Sequence, residues 1–232
     1  MKLKLLFLLL IAFSTKSFSQ NVQVHYDFAE DRNYVTTTVE MFRPDKFGNT
    51  FFFIDMDYYS GGSKGMTLTY WEIARVLKTD KMPIGIQVEF NSGFGRFTTP
   101  QSEVAYRINE AYMVGVDYSI NSEDFSKGIS FKVLYKTIID KNKASFQLTT
   151  VWFANFFDNK LTLSGFADFW KEDSDFDFDG TVDTEYIFLS EPQIWYNITS
   201  HFSVGSEVEL SNNFANKKGF YTRPTLGLKY TF

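Results

Sequence analysis

The chain has 232 residues with 28 acidic and 23 basic side chains, a net charge of −5 and a pI near 5.1; with no basic cluster, a nucleic-acid polymer is not an expected partner. It contains no cysteine, which excludes disulfides and a lipidated N-terminal thiol. Aromatics make up 19% of residues, with 27 Phe and 13 Tyr, although mean hydropathy is only −0.20.

The first element is "MKLKLLFLLLIAFSTKSFSQ". Lys2 and Lys4 precede the apolar run Leu5 to Phe13, and Ser14, Ser17 and Ser19 follow. That order predicts a secretory signal peptide over 1–20 and a single exported domain over 21–232, since the apolar run is too short to cross a bilayer as a helix.

From there the pattern is alternation with a period of two, broken by turn residues. It predicts twelve strands at about 21–28, 33–43, 50–59, 66–77, 83–92, 110–120, 129–139, 145–157, 161–172, 186–198, 202–212 and 222–232. In "ISFKVLY", Ile129, Phe131, Val133 and Tyr135 oppose Ser130, Lys132 and Leu134; in "FSVGSEVEL", Phe202, Val204, Val208 and Leu210 oppose Ser203, Gly205, Glu207 and Glu209. Only "MTLTYWEIARVL" breaks parity, around Trp71 and Glu72, as a bulge would. Short turns such as "DNK" and "TSH" alternate with a longer set that includes "GFGRFTTPQSEVAYRIN". Even strand number, short turns at one rim and aromatic pairs at strand ends are the pattern of an all-β, antiparallel transmembrane β-barrel of an outer membrane, contacting lipid and lipopolysaccharide. A soluble barrel would carry its charges outside; here strand after strand has charges on the face opposite the apolar one.

If the apolar faces meet lipid, the other set lines the lumen. It includes His25, Asp27, Glu40, Phe51, Phe53, Asp55, Asp57, Lys132, Phe166, Asp168, Trp170, Glu191, Trp195, Glu207, Glu209, Arg223 and Lys229. Charges in hydrocarbon cost several kcal/mol, so this set predicts a wet or mutually neutralised interior. Rings interleaved with carboxylates suit a small polar solute that carries a ring, stacking while its hydroxyls find acceptors.

The runs "YVTTTVEMFRPDKFGNTFFFIDMDYYSGG", "YWEIAR", "AYMVGVDY", "LTLSGFADFW" and "LGLKYTF" resemble, in the same order, the Tsx-type nucleoside-specific channels of Gram-negative outer membranes, as a distant sister group. The resemblance implies a monomeric twelve-stranded barrel with a narrow pore and uncoupled diffusion of nucleosides. It assigns Phe51, Phe53, Asp55 and Asp57 to the family's aromatic–acidic strand, matches Glu72 to the acid of its "EI", and matches Phe166 and Asp168 to a later strand.

Two other functions remain open. A plugged barrel could serve structure or adhesion. An outer-membrane lipid hydrolase would need a nucleophile beside His25 or His201, and no such motif is present. No cofactor is expected apart from weak calcium in "DSDFDFDGTVDTE". There Asp175, Asp177, Asp179 and Gly180 follow a calcium-loop template, but Glu185 falls one residue early and Tyr186 takes the place of the bidentate acid.

Overall fold

A computed structural model describes residues 19–79, 83–141 and 143–232, apart from the side chain of Asp177. The expected signal peptide lies outside these residues up to Phe18. The described residues contain no α-helix and form one antiparallel sheet. Its strands are β1 (Ser19–Asp27), β2 (Val35–Asp45), β3 (Gly48–Tyr58), β4 (Met66–Leu77), β5 (Ile84–Thr98), β6 (Glu103–Asn121) and β7 (Lys127–Ile138). They continue as β8 (Ser145–Phe156), β9 (Leu161–Asp175), β10 (Val182–Ser190), β11 (Gln193–Asn197), β12 (Phe202–Asn212) and β13 (Phe220–Thr231). From β1 to β9 each strand pairs with its neighbours in the chain, β10 and β11 each pair with β9 and β12, and β13 pairs with both β12 and β1, which closes the barrel.

The thirteen strands make twelve staves. β10 and β11 are one stave interrupted at Glu191 and Pro192: the register runs unchanged from Ser190↔Ala167 to Gln193↔Ser164 on β9, and from Ser190↔Leu210 to Gln193↔Glu207 on β12. Proline has no N–H to give the ladder, so the break comes there. The flanking bonds, Glu191 N–H to Phe166 O and Val208 N–H to Pro192 O at 3.1 Å each, hold the stave in line.

The pleat sorts the side chains. On β1, Asn21, Gln23, His25 and Asp27 are buried, whereas Val24 and Tyr26 are exposed. On β7, Ile129, Phe131, Val133 and Tyr135 are exposed, and Leu134 is fully buried. A closed sheet with polar groups inside and an outer face of Ile, Val, Leu, Phe and Tyr would lose about 25 cal/mol per Å² of apolar area left in water. In hydrocarbon that loss vanishes, and closure satisfies every ladder group. The fold is a transmembrane β-barrel.

The structure corrects the sequence expectations in three places. The stretch "GFGRFTTPQSEVAYRIN" is a hairpin of β5 and β6 that extends past its neighbours, with pairing from Gly93↔Ile108 to Thr98↔Glu103. Its glycines are packing positions: a Cβ on Gly95 would strike the Tyr106 ring, and one on Gly93 would come within 2.8 Å of Ile108 Cδ1. β4 runs straight through Trp71 and Glu72; the register shift lies instead where Asp57 pairs Leu68 and Tyr58 pairs Met66, with Thr67 as the extra residue. The acidic stretch, expected as a loop between strands ending at 172 and starting at 186, is largely strand, with β9 running to Asp175, β10 starting at Val182 and the turn confined to 176–181.

Candidate functional site

Inward positions differ in their access to solvent: those of β1 from Asn21 to Asp27 are closed, and others are not. Every residue of β3 is half-buried, so the inward Phe51, Phe53, Asp55 and Asp57 keep surface that water reaches from inside the barrel. Tyr70, Glu72, Glu89, Lys132, Thr149, Phe166, Asp168, Glu191 and Glu207 share that condition. All thirteen residues sit inside a closed sheet, yet all are accessible. This band is the candidate site.

Register fixes its contacts. Phe53 lies between Glu40 on β2 and Glu72 on β4, and Asp55 lies between Thr38 and Tyr70. Thr38 Oγ1 donates to Asp55 at 2.5 Å, and Thr36 Oγ1 donates to Asp57 at 2.7 Å. The Phe53 ring is 6.0 Å from both Phe51 and Tyr70, which forms a short aromatic ledge next to the carboxylates.

On the neighbouring wall, Glu72 Oε1 accepts from Tyr70 OH at 2.7 Å and from Asn91 Nδ2 at 3.0 Å, and Gln87 Nε2 donates to Glu89 Oε2 at 2.6 Å. Asp168 faces this wall and accepts from Thr149 Oγ1 at 2.5 Å. Lys132 pairs in register with Asp117 and Thr149. Lys136 donates to Gln147 Oε1 at 2.8 Å, and its ammonium lies 4.1 Å from the centre of the Trp170 ring.

Trp170 and Trp195 are inward as expected, but they are packed into the wall and do not line the bore. Trp195 is 0% exposed: Lys229 covers it at 4.1 Å, and His25 meets it edge-on at 5.6 Å. Gly205 and Gly227, paired across β12 and β13, make its room, since a Cβ on Gly227 would come within 3.0 Å of Trp195 Cη2. Around it runs a polar ladder: Gln23 donates to Asn21 at 2.9 Å, Asn21 donates to Glu40 at 2.9 Å, and His25 bonds Gln23 and Thr225 at 3.0 Å each. Glu207 accepts from Gln193 Nε2 at 2.6 Å.

At the rim opposite the termini, Arg223 binds Glu209 at 2.5 Å and Asp31 at 2.8 Å, Lys217 binds Asp31 at 2.7 Å, and Arg32 bonds Asp27 and Glu209. Of this network the sequence pattern marks Asp27, Glu209 and Arg223; Asp31 and Arg32 fall between strands, where period-two alternation carries no signal. Two cations on one carboxylate hold Asp31 well below the usual carboxylate range. Beside the network, Trp170, Phe176, Ile187 and Phe214 form an apolar cluster, with Phe176 and Phe214 supplied by loops.

In the acidic loop, Asp175 accepts from the Gly180 N–H at 3.1 Å, Asp179 accepts from the Thr181 N–H at 2.8 Å, and Asp183 pairs with Lys218 at 3.0 Å. The calcium expectation also rests on the Asp177 side chain, which lies outside the described residues. Among the described residues no three His, Asp or Glu side chains converge as metal ligands.

Closed sheet, apolar exterior and an accessible acidic, aromatic interior define a membrane barrel with a polar lumen. The chain belongs to the family described as a domain of unknown function, DUF5020, whose match spans residues 19–232. No curated protein sequence matches it. Among solved structures it resembles a KdgM porin (12% identity, TM-score 0.52, covering 92% of this chain and 99% of that one). It also resembles a KdgM porin in complex with disordered oligogalacturonate (10% identity, TM-score 0.50, covering 94% and 99%). LpxR from Salmonella typhimurium aligns at 12% identity and a TM-score of 0.47, covering 92% of this chain and 100% of that one. At such identities the likeness is one of fold.

Proposed function

We propose that this protein is an outer-membrane channel for passive diffusion of small polar solutes, with nucleosides or similar ring-bearing molecules as the permeant class. The observation that carries it is the band of half-buried inward residues: a plugged barrel of this size would bury its lumenal side chains, as this one does along β1. The ledge of Phe51, Phe53 and Tyr70 beside Asp55 and Glu72 suits a flat ring with hydroxyls. It also agrees with the resemblance to Tsx-type channels. In this reading the barrel works as a monomer, the termini and short turns face the periplasm, and the opposite rim meets lipopolysaccharide. Oligogalacturonate, held by a KdgM porin, is a polyanion. Here acids outnumber bases along the accessible band, which supports a neutral or cationic permeant. The test is planar-bilayer conductance of the purified protein with a nucleoside-block titration. Discrete conductance steps reduced by nucleoside are the expected result, and a silent bilayer would refute the reading.

A plugged or adhesive barrel has one observation in its favour, the ion network and apolar cluster at the outer rim. The same bilayer recording separates the two. A lipid hydrolase is disfavoured by the imidazoles. The Thr225 hydroxyl next to His25 already donates to Glu207 O at 3.1 Å, and His201 bonds Thr231 O at 2.8 Å. Neither imidazole has a nucleophile to activate.

A further inference from the structure

The β4–β5 wall carries more acceptors than this chain can satisfy. Gln87 and Asn91 are 0% and 4% exposed, and both stand in the inward row of β5 with Glu89 between them. Each amide gives its NH₂ to a carboxylate, Gln87 to Glu89 and Asn91 to Glu72. A carboxylate only accepts, so in each amide the nitrogen takes the side of the carboxylate and the oxygen is left without that partner. Those two oxygens, Gln87 Oε1 and Asn91 Oδ1, are buried without a donor. A native interior rarely leaves such groups unmet, and they point to a partner brought from outside. Beside them, donors from this chain reach one oxygen of Glu72 and one of Glu89, leaving the second oxygen of each to solvent. Asp168 adds a third carboxyl group within electrostatic reach, against the one ammonium of Lys136, which Gln147 and the Trp170 face already engage.

We propose that this wall is a binding site for a small organic cation bearing N–H donors at two ends. The pairing Glu72↔Asn91 and Ala74↔Glu89 makes Glu72 and Glu89 diagonal neighbours. Such positions stand about 7–8 Å apart, a span suited to a short diamine. A bare metal ion does not fit, because no three carboxylates converge on one point among the described residues. An ammonium at each end meets one carboxylate, and its remaining N–H groups reach toward the amide oxygens. The occupant's role as a permeant rests on the channel reading; its binding does not.

The test is calorimetric titration of the detergent-folded barrel with 1,4-diaminobutane, and with succinate as the charge-reversed control. Saturable binding of the diamine alone is expected, weakened tenfold or more in Glu89→Gln and in Glu72→Gln, and unchanged in the outlying Asp45→Asn. The two site variants lie on different strands, and heat-modifiable gel migration verifies that each is folded. No saturable heat with the wild-type barrel would overturn the proposal. So would equal affinity in both folded variants, which would mark the uptake as diffuse attraction to an acidic surface. A barrel that binds the diamine but passes no current would retain the site and refute the channel. A conducting barrel with no diamine binding would do the reverse.

Discussion

The two sides of the lumen treat their acids differently. On the wall of β12, β13 and β1, Glu209 and Asp27 are buried and Asp31 overhangs them, all held by Arg223, Arg32 and Lys217. On the wall of β3, β4 and β5, Asp55, Asp57, Glu72 and Glu89 stay half-open, and they accept hydrogen bonds from hydroxyls and amides. Guanidinium pairing takes a carboxylate out of solution and makes it framework. Hydroxyl and amide donors steady a carboxylate but leave its charge uncancelled, available to whatever enters. The same residue type is scaffold on one side and surface on the other.

Substitution should separate the two roles. The largest effect is expected for Arg223→Ala, because removing a guanidinium that is 4% exposed strips one oxygen of buried Glu209 of its cation, leaves Arg32 alone on the other, and takes one of two cations from Asp31. Breaking such a pair from one side costs about 3–5 kcal/mol. Urea unfolding in liposomes, followed by tryptophan fluorescence, is the measurement. A loss under about 1 kcal/mol would mean that the network is a surface ornament, and the contrast between the walls would fail.

Next comes the packing that the paired wall encloses. Gly227→Ala places a methyl within 3.0 Å of both Trp195 Cη2 and His25 Cε1, inside a stack already closed by Lys229. Overpacking of this kind costs about 1–3 kcal/mol, read in the same unfolding assay. Gly180→Ala would meet nothing within 4 Å, but φ +85 strains it for another reason, so it is no neutral control.

On the open wall the expected change is in solute recognition, with little change in stability. Phe53→Ala removes the middle of the aromatic ledge and should weaken nucleoside block by about 0.5–1.5 kcal/mol, two- to tenfold in the blocking concentration. Unfolding should move less than it does for Arg223→Ala. Equal block by wild type and variant would take the ledge out of the permeation path.

Much of this contrast was legible in the sequence, and the remainder was not for identifiable reasons. Alternation with a period of two marks which face a residue takes, so the twelve staves and the inward set from His25 to Lys229 follow from the order of residues. It also gave the spans 66–77 and 202–212 as the structure has them. Parity says nothing about how deeply an inward residue lies, and Trp195 and Trp170 therefore looked like pore lining when they are packing. Glycine reads as a turn, so Gly93 and Gly95 disguised a hairpin; in a strand they instead make room for side chains on the partner. The break in β10–β11 shows in the sequence only as Pro192. The partners Asp31 and Arg32 come from a loop, and a loop's reach into the mouth is set by tertiary packing that no local pattern encodes.

The smallest effect expected is acid sensitivity of the paired wall through Asp31. Arg223 and Lys217 hold its carboxyl below its unfolded value, which is about 3.9. A depressed carboxyl contributes fully above the unfolded value and loses its contribution as pH falls from there through the folded one, because the unfolded chain takes up the proton first. From pH 7 to 5 the wild type should therefore exceed Asp31→Asn by a constant margin. Because Asp31 is partly exposed and screened, that margin is under about 1 kcal/mol. Below about pH 4 it should shrink toward zero. Other depressed acids, such as Asp124, pulled to about 2 by Ser122 and Ser126, are present in both proteins and cancel in the difference. A margin that grows as pH falls would mean that the two cations do not hold Asp31 as an anion, and that the loop is fixed by something other than charge.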